Sequence, residues 1–440
     1  MIEAMAVLNH LPRKQRDPLH VLGVLARRKG DVFAYTTGQP PSFLANRPEF
    51  VRHVLVDAAA RYSKDTPINA GFRDTIATGL LSSEGQRWQQ QRTLMQPAFA
   101  RRYTPWLARI VERELQRAIE DWTQPDGSIA IEVLAETTRL LFRITSIVLF
   151  NVDPRPWDGR LTDILAAALP ALADEDERAF RISQHAIRDI GERIVAARNQ
   201  QSRPHDDLLG RLIASGSAEA EPEMLRDHVV TLALSGYETT ASVVTWGLLL
   251  LATHPDIAAT IRVDIDSATQ GHLLGLRDLA HLPSLQAAVK ETMRLFPPAW
   301  IIGRRALQPD RIGDVDIPVG GVVAISPYTL HRHPRYWPDP DAFNPARFGS
   351  NQERDRPPFT YIPFGAGPRT CVGTTFAQVE APLIIGRLLQ QFELHIEEGA
   401  GVVPRGLFVI VPDQPIRLRC TARSDKLRLS AADAAVDSNA

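Results

Sequence analysis

Cysteine is nearly absent from the sequence: Cys371 and Cys420 are the only two among 440 residues. That count excludes a disulfide framework, a four-cysteine zinc site and a cluster held by four cysteines, and leaves room for a single cysteine as a lone ligand. Neither sign of charge is in excess. Lys plus Arg number 50 against 51 Asp plus Glu, so no whole-chain field favours nucleic acid or an anionic membrane as a partner. Long apolar runs are missing too. The first 29 residues mix Glu3, His10, Arg13, Lys14 and Arg16 among apolar ones, which suits neither a signal-peptide core nor a spanning helix. The most apolar stretch, 243–252, is interrupted by Thr245 and Gly247 and stops at His254-Pro255, short of the ~20 residues a bilayer requires. A soluble, cytoplasmic chain with no membrane anchor is expected, with 44% hydrophobic residues to build a large core.

The hydrophobic pattern predicts a mainly α protein with small β-sheets. Two short strands are expected at 32–37 and 42–46, across Gly38-Gln39-Pro40-Pro41. From residue 85 to about 200 apolar residues recur at helical spacing, as in Trp106, Leu107, Ile110, Val111 and Leu115. A long helix is predicted from about 223 to 254, where Pro255 stops it, and at ~1.5 Å per residue it would span roughly 45–50 Å. Its mostly apolar surface makes it the central helix. Further helices are expected near 285–295 and 374–392, a β-rich and Pro-rich segment between 296 and 364, and strands at 407–411 and 416–420. No internal repeat or dividing linker is visible. One domain over 1–420 is expected, followed by a small, polar and disordered tail over 421–440.

The segment Phe364-Gly365-Ala366-Gly367-Pro368-Arg369-Thr370-Cys371-Val372-Gly373 sets a cysteine in a Gly-rich turn just before a helix. Backbone N–H groups and the helix amino end favour thiolate there. Gly365, Gly367 and Gly373 permit torsions and close approaches closed to larger residues, so a flat cofactor could lie against the loop. Arg369 could then pair with a carboxylate on its rim. The bland alternative is a buried small cysteine in an ordinary turn, which is the reading for Cys420 in Arg417-Leu418-Arg419-Cys420.

The pattern Phe-x-x-Gly-x-Arg-x-Cys-x-Gly resembles the haem-binding loop of the cytochrome P-450 superfamily, and three further runs match in order and spacing, from about residue 30 to about 420. Glu291-Thr292-Met293-Arg294, followed by Asn344-Pro345-Ala346-Arg347-Phe348, is similar to the family's Glu-x-x-Arg helix and Pro-x-Arg-Phe loop. Ser235-Gly236-Tyr237-Glu238-Thr239-Thr240 is similar to its oxygen-activation motif, with Ser for the usual Ala or Gly and Glu for Asp. Trp88-Gln89-Gln90-Gln91-Arg92 is similar to its Trp-x-x-x-Arg helix. Read without the resemblance, these are a surface ion pair worth ~0.2–0.5 kcal/mol, a helix kink opened by a glycine and a back-bonding threonine, and a half-buried Trp on a surface helix.

The resemblance implies a P-450 fold with a long central helix over haem b (iron protoporphyrin IX). It makes Cys371 the iron ligand, with Phe364, Gly365 and Gly373 against the haem. It makes Trp88, Arg92, Arg369 and Arg304, or its neighbour Arg305, the contacts of the haem propionates. Glu291, Arg294 and Arg347 become a buried charge network, Thr239 the alcohol beside the oxygen being activated, and Glu238 part of the proton supply. It implies a substrate pocket that includes Ile68, Phe72, Leu80, Leu234, Ser235, Trp300, Ile301 and Phe408, a mainly apolar set. The activity implied is monooxygenation: one atom of O2 enters a hydrophobic small molecule such as a terpenoid, polyketide or fatty acid, by hydroxylation or epoxidation. Electrons would come ultimately from NAD(P)H through a separate ferredoxin or flavodoxin with its reductase, docking near Arg101 and Arg102. A monomer is expected, with no nucleic acid bound. The rivals are a peroxide-driven peroxygenase, which would have no use for Glu238 and Thr239, and a non-catalytic haem sensor, for which no output domain is visible.

Overall fold

The computed structural model describes residues 17–36, 40–67, 69–70, 79–156, 177–201, 207–214, 222–399 and 401–423. Its longer helices are α1 (Pro18–Lys29), α2 (Gly85–Met95), α3 (Thr104–Trp122), α4 (Val133–Phe150), α5 (Glu177–Asn199), α6 (Pro222–Thr253), α7 (Pro255–Thr269), α8 (Pro283–Leu295) and α9 (Thr374–Gln391). The strands are β1 (Val32–Thr36), β2 (Ser42–Ala45), β3 (Tyr62–Ser63), β4 (Ile129–Glu132), β5 (Ile302–Ala306), β6 (Asp310–Ile312), β7 (Val315–Ile317), β8 (Val322–Ile325), β9 (Phe392–Glu398), β10 (Pro404–Gly406), β11 (Ile410–Pro412) and β12 (Arg417–Ala422).

The mainly helical architecture is the expected one, and α6 is its axis. It packs along α4 and α5 on one side and against α8 and α9 on the other, which is why its sequence is apolar nearly all round. Proline at the start of α7 and α8 marks where each chain direction is reset, since the ring fits the first helical turn and blocks continuation of a preceding one. No single helix among the described residues is long and apolar enough to cross a membrane; α6 and α7 pass such a test together only across a 107° bend.

The β-structure is peripheral. β1, β2, β8, β5 and β3 form one sheet in that order, and β4, β12 and β9 form another. β4 lies within the region whose windows mostly read as helical. Its four residues pair with β12, more than 280 positions away, so local periodicity carried no sign of it. The strand expected at 407–411 is instead a turn at 407–409 between antiparallel β10 and β11. β12 runs to Ala422, and Arg423 pairs with Asp266 at 2.7 Å; residues 424–440 lie outside the described residues.

Candidate active site

The Cys371 loop is held from beneath. Cys371 N–H donates to the Phe364 carbonyl at 2.9 Å, Gly365 N–H to Ile362 at 3.0 Å, and Thr370 N–H to Gly367 at 3.0 Å. Gly365 and Gly367 both have φ of +72°, a region that only glycine enters without strain. Gly367 is the tighter requirement. A Cβ there would stand 1.8 Å from the Leu55 carbonyl oxygen, in the π-helical turn His53–Asp57 that supports the loop. Gly367→Ala should therefore move the loop and cost upwards of ~1–3 kcal/mol, read as a lowered midpoint of thermal unfolding together with reduced cofactor content. Gly373 serves differently: its φ is −84°, and its missing Cβ leaves open a position 3.8 Å from the Cys371 sulfur.

Cys371 is exposed in surface terms, yet it sits deep enough that burial pushes its thiol up from the ordinary value. The Gly373 and Thr374 N–H groups, the Arg92 guanidinium and the Thr374 hydroxyl act in the opposite sense without reversing it. The donors foreseen around the sulfur are present, but they do not by themselves make thiolate the favoured form, because desolvation outweighs them. A positive centre bound at the sulfur would supply the missing stabilisation.

The middle of α6 packs against α9, the helix that follows the loop. Between residues 229 and 249 only Ser235, Gly236 and Thr239 are not fully buried. They mark where the helix borders an accessible recess. Farther along the same side, Ser242 Oγ and Trp246 Nε1 both donate to the Ile410 carbonyl of β11, at 2.6 and 3.1 Å. Toward the other end, Gly79 packs so close to Thr231 that a Cβ would lie 2.1 Å from its hydroxyl. The wall bearing Ser235 and Thr239 thus runs between the Gly79 segment and the β10–β11 hairpin.

The expected opening of α6 does not occur, for the helix is continuous from Pro222 to Thr253. Thr239 Oγ1 does bond back to the Ser235 carbonyl, at 2.9 Å. Gly236 answers a packing need instead: a Cβ there would stand 2.8 Å from the Thr145 methyl of α4. Glu238 is not solvated. It is 7% exposed and accepts from the Tyr237 hydroxyl at 3.3 Å, and burial pushes its carboxyl up to about 8. Two residues on, toward the opposite side of the helix, Thr240 Oγ1 donates to Glu380 Oε2 at 3.3 Å, and burial raises that carboxyl to about 7. Both acids are thus poised to hold a proton near neutral pH. Tyr237 and Glu380 escaped notice in the sequence because nothing in an isolated helix pattern says that α6 and α9 meet there.

A second cluster gathers cations. Arg92 Nη1 donates to the Thr370 carbonyl at 2.8 Å. Arg369 stacks on Trp88, 4.1 Å from the ring centroid, and donates to Ser83 O at 2.8 Å. Arg304 is 8% exposed, and its guanidinium is brought down to about 10 by burial and by Arg369; Arg369 is likewise brought to about 10, by burial with Arg92 adding to it. Arg305 instead turns outward to Asp65 and Gly320, which decides between the two candidates for the buried position. Lys64, which no motif flagged, joins them: burial, Arg304 and Arg369 bring its amine down to about 7. It bonds the Leu81 carbonyl, and Glu84 accepts from its backbone N–H. Glu84 is also the carboxylate nearest Arg369, at 3.6 Å. Four cations facing one carboxylate suit a dianionic rim, and with the glycine-lined sulfur this fits a haem and its two propionates.

Behind the loop, Glu291 and Arg294 are both 0% exposed. Arg294 Nε and Nη2 donate to the two Glu291 oxygens at 2.7 and 2.9 Å, and its Nη1 reaches the carbonyls of His331 and Pro340 at 2.9 and 2.6 Å. Arg347 Nε pairs with Glu291 Oε1 at 3.3 Å, too poorly aimed for a hydrogen bond, and Asn344 N–H donates to the same oxygen at 2.8 Å. His331 extends the network to the loop by accepting from Ile362 N–H at 2.9 Å. Burial and then Arg294 lower its imidazole to about 3, so it stays neutral and able to accept.

Of the expected pocket residues, Trp300 is buried, donates through Nε1 to Leu407 O at 2.8 Å, and so holds the turn next to Phe408. Ile301 and Phe408 are half-buried, and Leu80 is buried. Leu234 lines a small cavity with Phe142, Ile187, Ile190 and Val230 between α4, α5 and α6. Ile68 and Phe72 lie outside the described residues. Arg101 and Arg102 are exposed.

A sulfur in a glycine turn, an acid and an alcohol on a buried helix, and a cationic rim suit a planar anionic cofactor. The cytochrome P450 family model matches residues 3–419. Cyclooctatin synthase of Streptomyces melanosporofaciens is 30% identical over 425 residues, covering 91% of this chain and 91% of that protein. Pentalenene oxygenase of Streptomyces avermitilis is 27% identical over 439 residues, covering 96% of each. A crystal structure of a six-coordinated cytochrome P450 from Thermus thermophilus superposes with a TM-score of 0.71 at 25% identity, over 92% of this chain and 98% of that one. The chain belongs to the cytochrome P450 family. It is an oxidoreductase of the monooxygenase class, whose cofactor is haem and whose oxidant is O2, and enzymes of this class draw electrons from redox partners and bind hydrophobic substrates.

Proposed function

We propose that this enzyme inserts one oxygen atom into a cyclic terpenoid-type hydrocarbon skeleton, by hydroxylation or epoxidation, with haem b held through Cys371. The observation that carries this reading is the apposition of the glycine-lined Cys371 sulfur and the Lys64, Arg92, Arg304 and Arg369 cluster, joined where Arg92 bonds the carbonyl next to Cys371. Haem supplies activation of O2 at a thiolate-ligated iron. The balance is one O2, two electrons and two protons for one oxygenated product and one water. This chain's residues hold the ring, keep the recess dry and store the protons. Thr239 is the alcohol assigned to the oxygen being activated, and Glu238 and Glu380, bonded through Tyr237 and Thr240, are the proton reserves.

The terpenoid class draws support from the names of two relatives, cyclooctatin synthase and pentalenene oxygenase, and from the apolar Trp300, Ile301, Leu80 and Phe408. Electrons would pass from NAD(P)H through a ferredoxin or flavodoxin, drawn to exposed arginines such as Arg101 and Arg102. We also propose a cytoplasmic monomer; the two unpaired cysteines suit a reducing compartment. The test is reconstitution with a ferredoxin and its reductase, NAD(P)H, O2 and cyclic terpenes, with mass spectrometry of the product. Absence of any oxygenated product across that panel would count against the proposal. Thr239→Ala should keep haem yet divert reducing equivalents to hydrogen peroxide, lowering product per NAD(P)H about 10-fold or more; full coupling in the variant would dismiss the role given to Thr239.

A further inference from the structure

The hairpin that carries Phe408 depends on its surroundings for its shape. β10 and β11 pair over three positions, Pro404 with Pro412, Arg405 with Val411 and Gly406 with Ile410, and the outermost pair has no N–H to donate. A two-stranded ribbon of that length is marginal by itself, so groups outside it decide where its turn, 407–409, comes to rest. Trp300 Nε1 holds the Leu407 carbonyl at 2.8 Å. Ser242 and Trp246 of α6 hold the Ile410 carbonyl, and Ser242 is three residues on from Thr239, within one helical turn of it. Another grip comes from the far end of the chain: Gly406 N–H donates to Asp17 Oδ2 at 3.0 Å, across 389 positions. Gly406 and Ile410 face each other at the base of the turn, so Asp17 holds one side of that base and α6 the other.

Asp17 serves two elements at once. Its Oδ1 accepts from Leu19 N–H at 2.8 Å and caps α1, while Oδ2 takes the Gly406 N–H. Burial pushes its carboxyl up from the ordinary value, and the Gly406, Leu19 and His20 N–H groups and Arg405 act in the opposite sense. The two elements touch closely there, for a Cβ on Gly406 would stand 2.9 Å from Leu19 Cγ and 3.2 Å from Trp300 Cε2. Capping α1 requires one side-chain oxygen, which Asn or Ser supplies about as well. The hairpin uses the second.

We propose that Asp17 is a positioning residue for the substrate: by latching α1 to the base of the 407–409 turn it fixes Phe408 and so limits the size of molecule the enzyme accepts. This deepens the monooxygenase reading above and rests on its placing of Phe408 at the substrate. Asp17 acts only through the turn. Trp300, Ser242 and Trp246 are buried and hold their carbonyls from within the core, whereas α1 is seated on β10, β1 and the short helix Pro327–Leu330. The bond across the α1–β10 seam is charge-assisted, and it is the one that ties Gly406. Without it the Ile410 side of the base stays pinned and the Gly406 side is released, so the turn pivots and Phe408 loses its single position. A wall that yields admits bulkier ligands.

Two measurements on the haem-loaded enzyme test this without reference to turnover: hydrogen–deuterium exchange along the hairpin, and difference-spectrum titration with a small and a large azole, phenylimidazole and biphenylylimidazole. Asp17→Asn and Asp17→Ser keep a cap on α1 and lose the second acceptor. Each is expected to speed exchange at the amides of 406–409 about tenfold or more. Each should also move the ratio of the two azole dissociation constants about fivefold or more in favour of the larger one, while protection of α1 and the midpoint of thermal unfolding stay close to the parent. Gly406→Ala presses on Leu19 from the other side and should give the same pair of changes with Asp17 intact, so the proposal can fail even where the Asp17 variants express poorly. Unchanged hairpin exchange overturns the latch. Faster exchange with a ratio that is unmoved, or moved toward the smaller azole, overturns the control of size. Loss of α1 protection equal to that of the hairpin overturns it too, by making Asp17 only a helix cap. The two readings fail separately: absence of oxygenated terpene in the reconstituted assay leaves these binding readouts standing, whereas normal terpene oxygenation with an unmoved ratio sinks this proposal alone.

Discussion

Cys371→Ala is expected to abolish the long-wavelength Soret band of the reduced carbon-monoxide complex and to leave the purified chain with little or no haem. The substitution removes one sulfur and little else. The backbone bond from Cys371 N–H to Phe364 survives, and the glycines that shape the loop are untouched. Helical content should therefore stay near that of the parent, which circular dichroism checks in the same samples. Loss of the band with loss of fold would say nothing about ligation; loss of the band in a folded chain assigns the sulfur. Cys371→Ser sharpens the result, since an alcohol of nearly equal size keeps the shape but ionises far less readily than a thiol. An unchanged band in either variant would refute Cys371 as the ligand.

How far the sequence foretold this site depends on the range of the interactions involved. The glycine loop, the Glu291–Arg294 pair and the Trp88–Arg92 pair are local spacings, and each is read from fewer than a dozen consecutive residues. The long central helix was equally legible, because α6 is apolar and Pro255 marks its end. What lay hidden was contact between distant segments. Lys64 precedes the cation cluster by 240 residues at Arg304, and only the β3–β5 pairing brings that part of the chain beside it. His331 enters the charge network through a backbone carbonyl and an imidazole lone pair, which no spacing rule records. Gly236 looked like a kink because an isolated helix gives no other reason for a glycine; the reason is the Thr145 methyl on α4. Thiolate at Cys371 was inferred from donors alone, and burial, a property of the assembled fold, outweighs them.

Glu291→Ala is expected to cost ~3–5 kcal/mol, a large share of the ~5–15 kcal/mol by which a typical domain is stable. The carboxylate is fully buried and is the counter-charge for Arg294 and, at 3.3 Å, for Arg347, so its removal leaves two guanidinium groups in low dielectric. Arg294 would keep its carbonyl partners at His331, Pro340 and Ala342, which offset only part of the charge. Because His331 in turn receives the Ile362 N–H that anchors the cysteine loop, the damage should reach the cofactor site. Little soluble protein and a low haem-to-protein ratio are the expected readings. Lys290–Glu353 provides the control on the same helix, an ion pair at 2.8 Å whose side chains are 33% and 39% exposed. Solvent screens such a pair to ~0–1 kcal/mol, so Glu353→Ala should leave yield and haem content close to the parent. Comparable losses in the two variants, or normal haem content in Glu291→Ala, would show that the buried network does not support the loop.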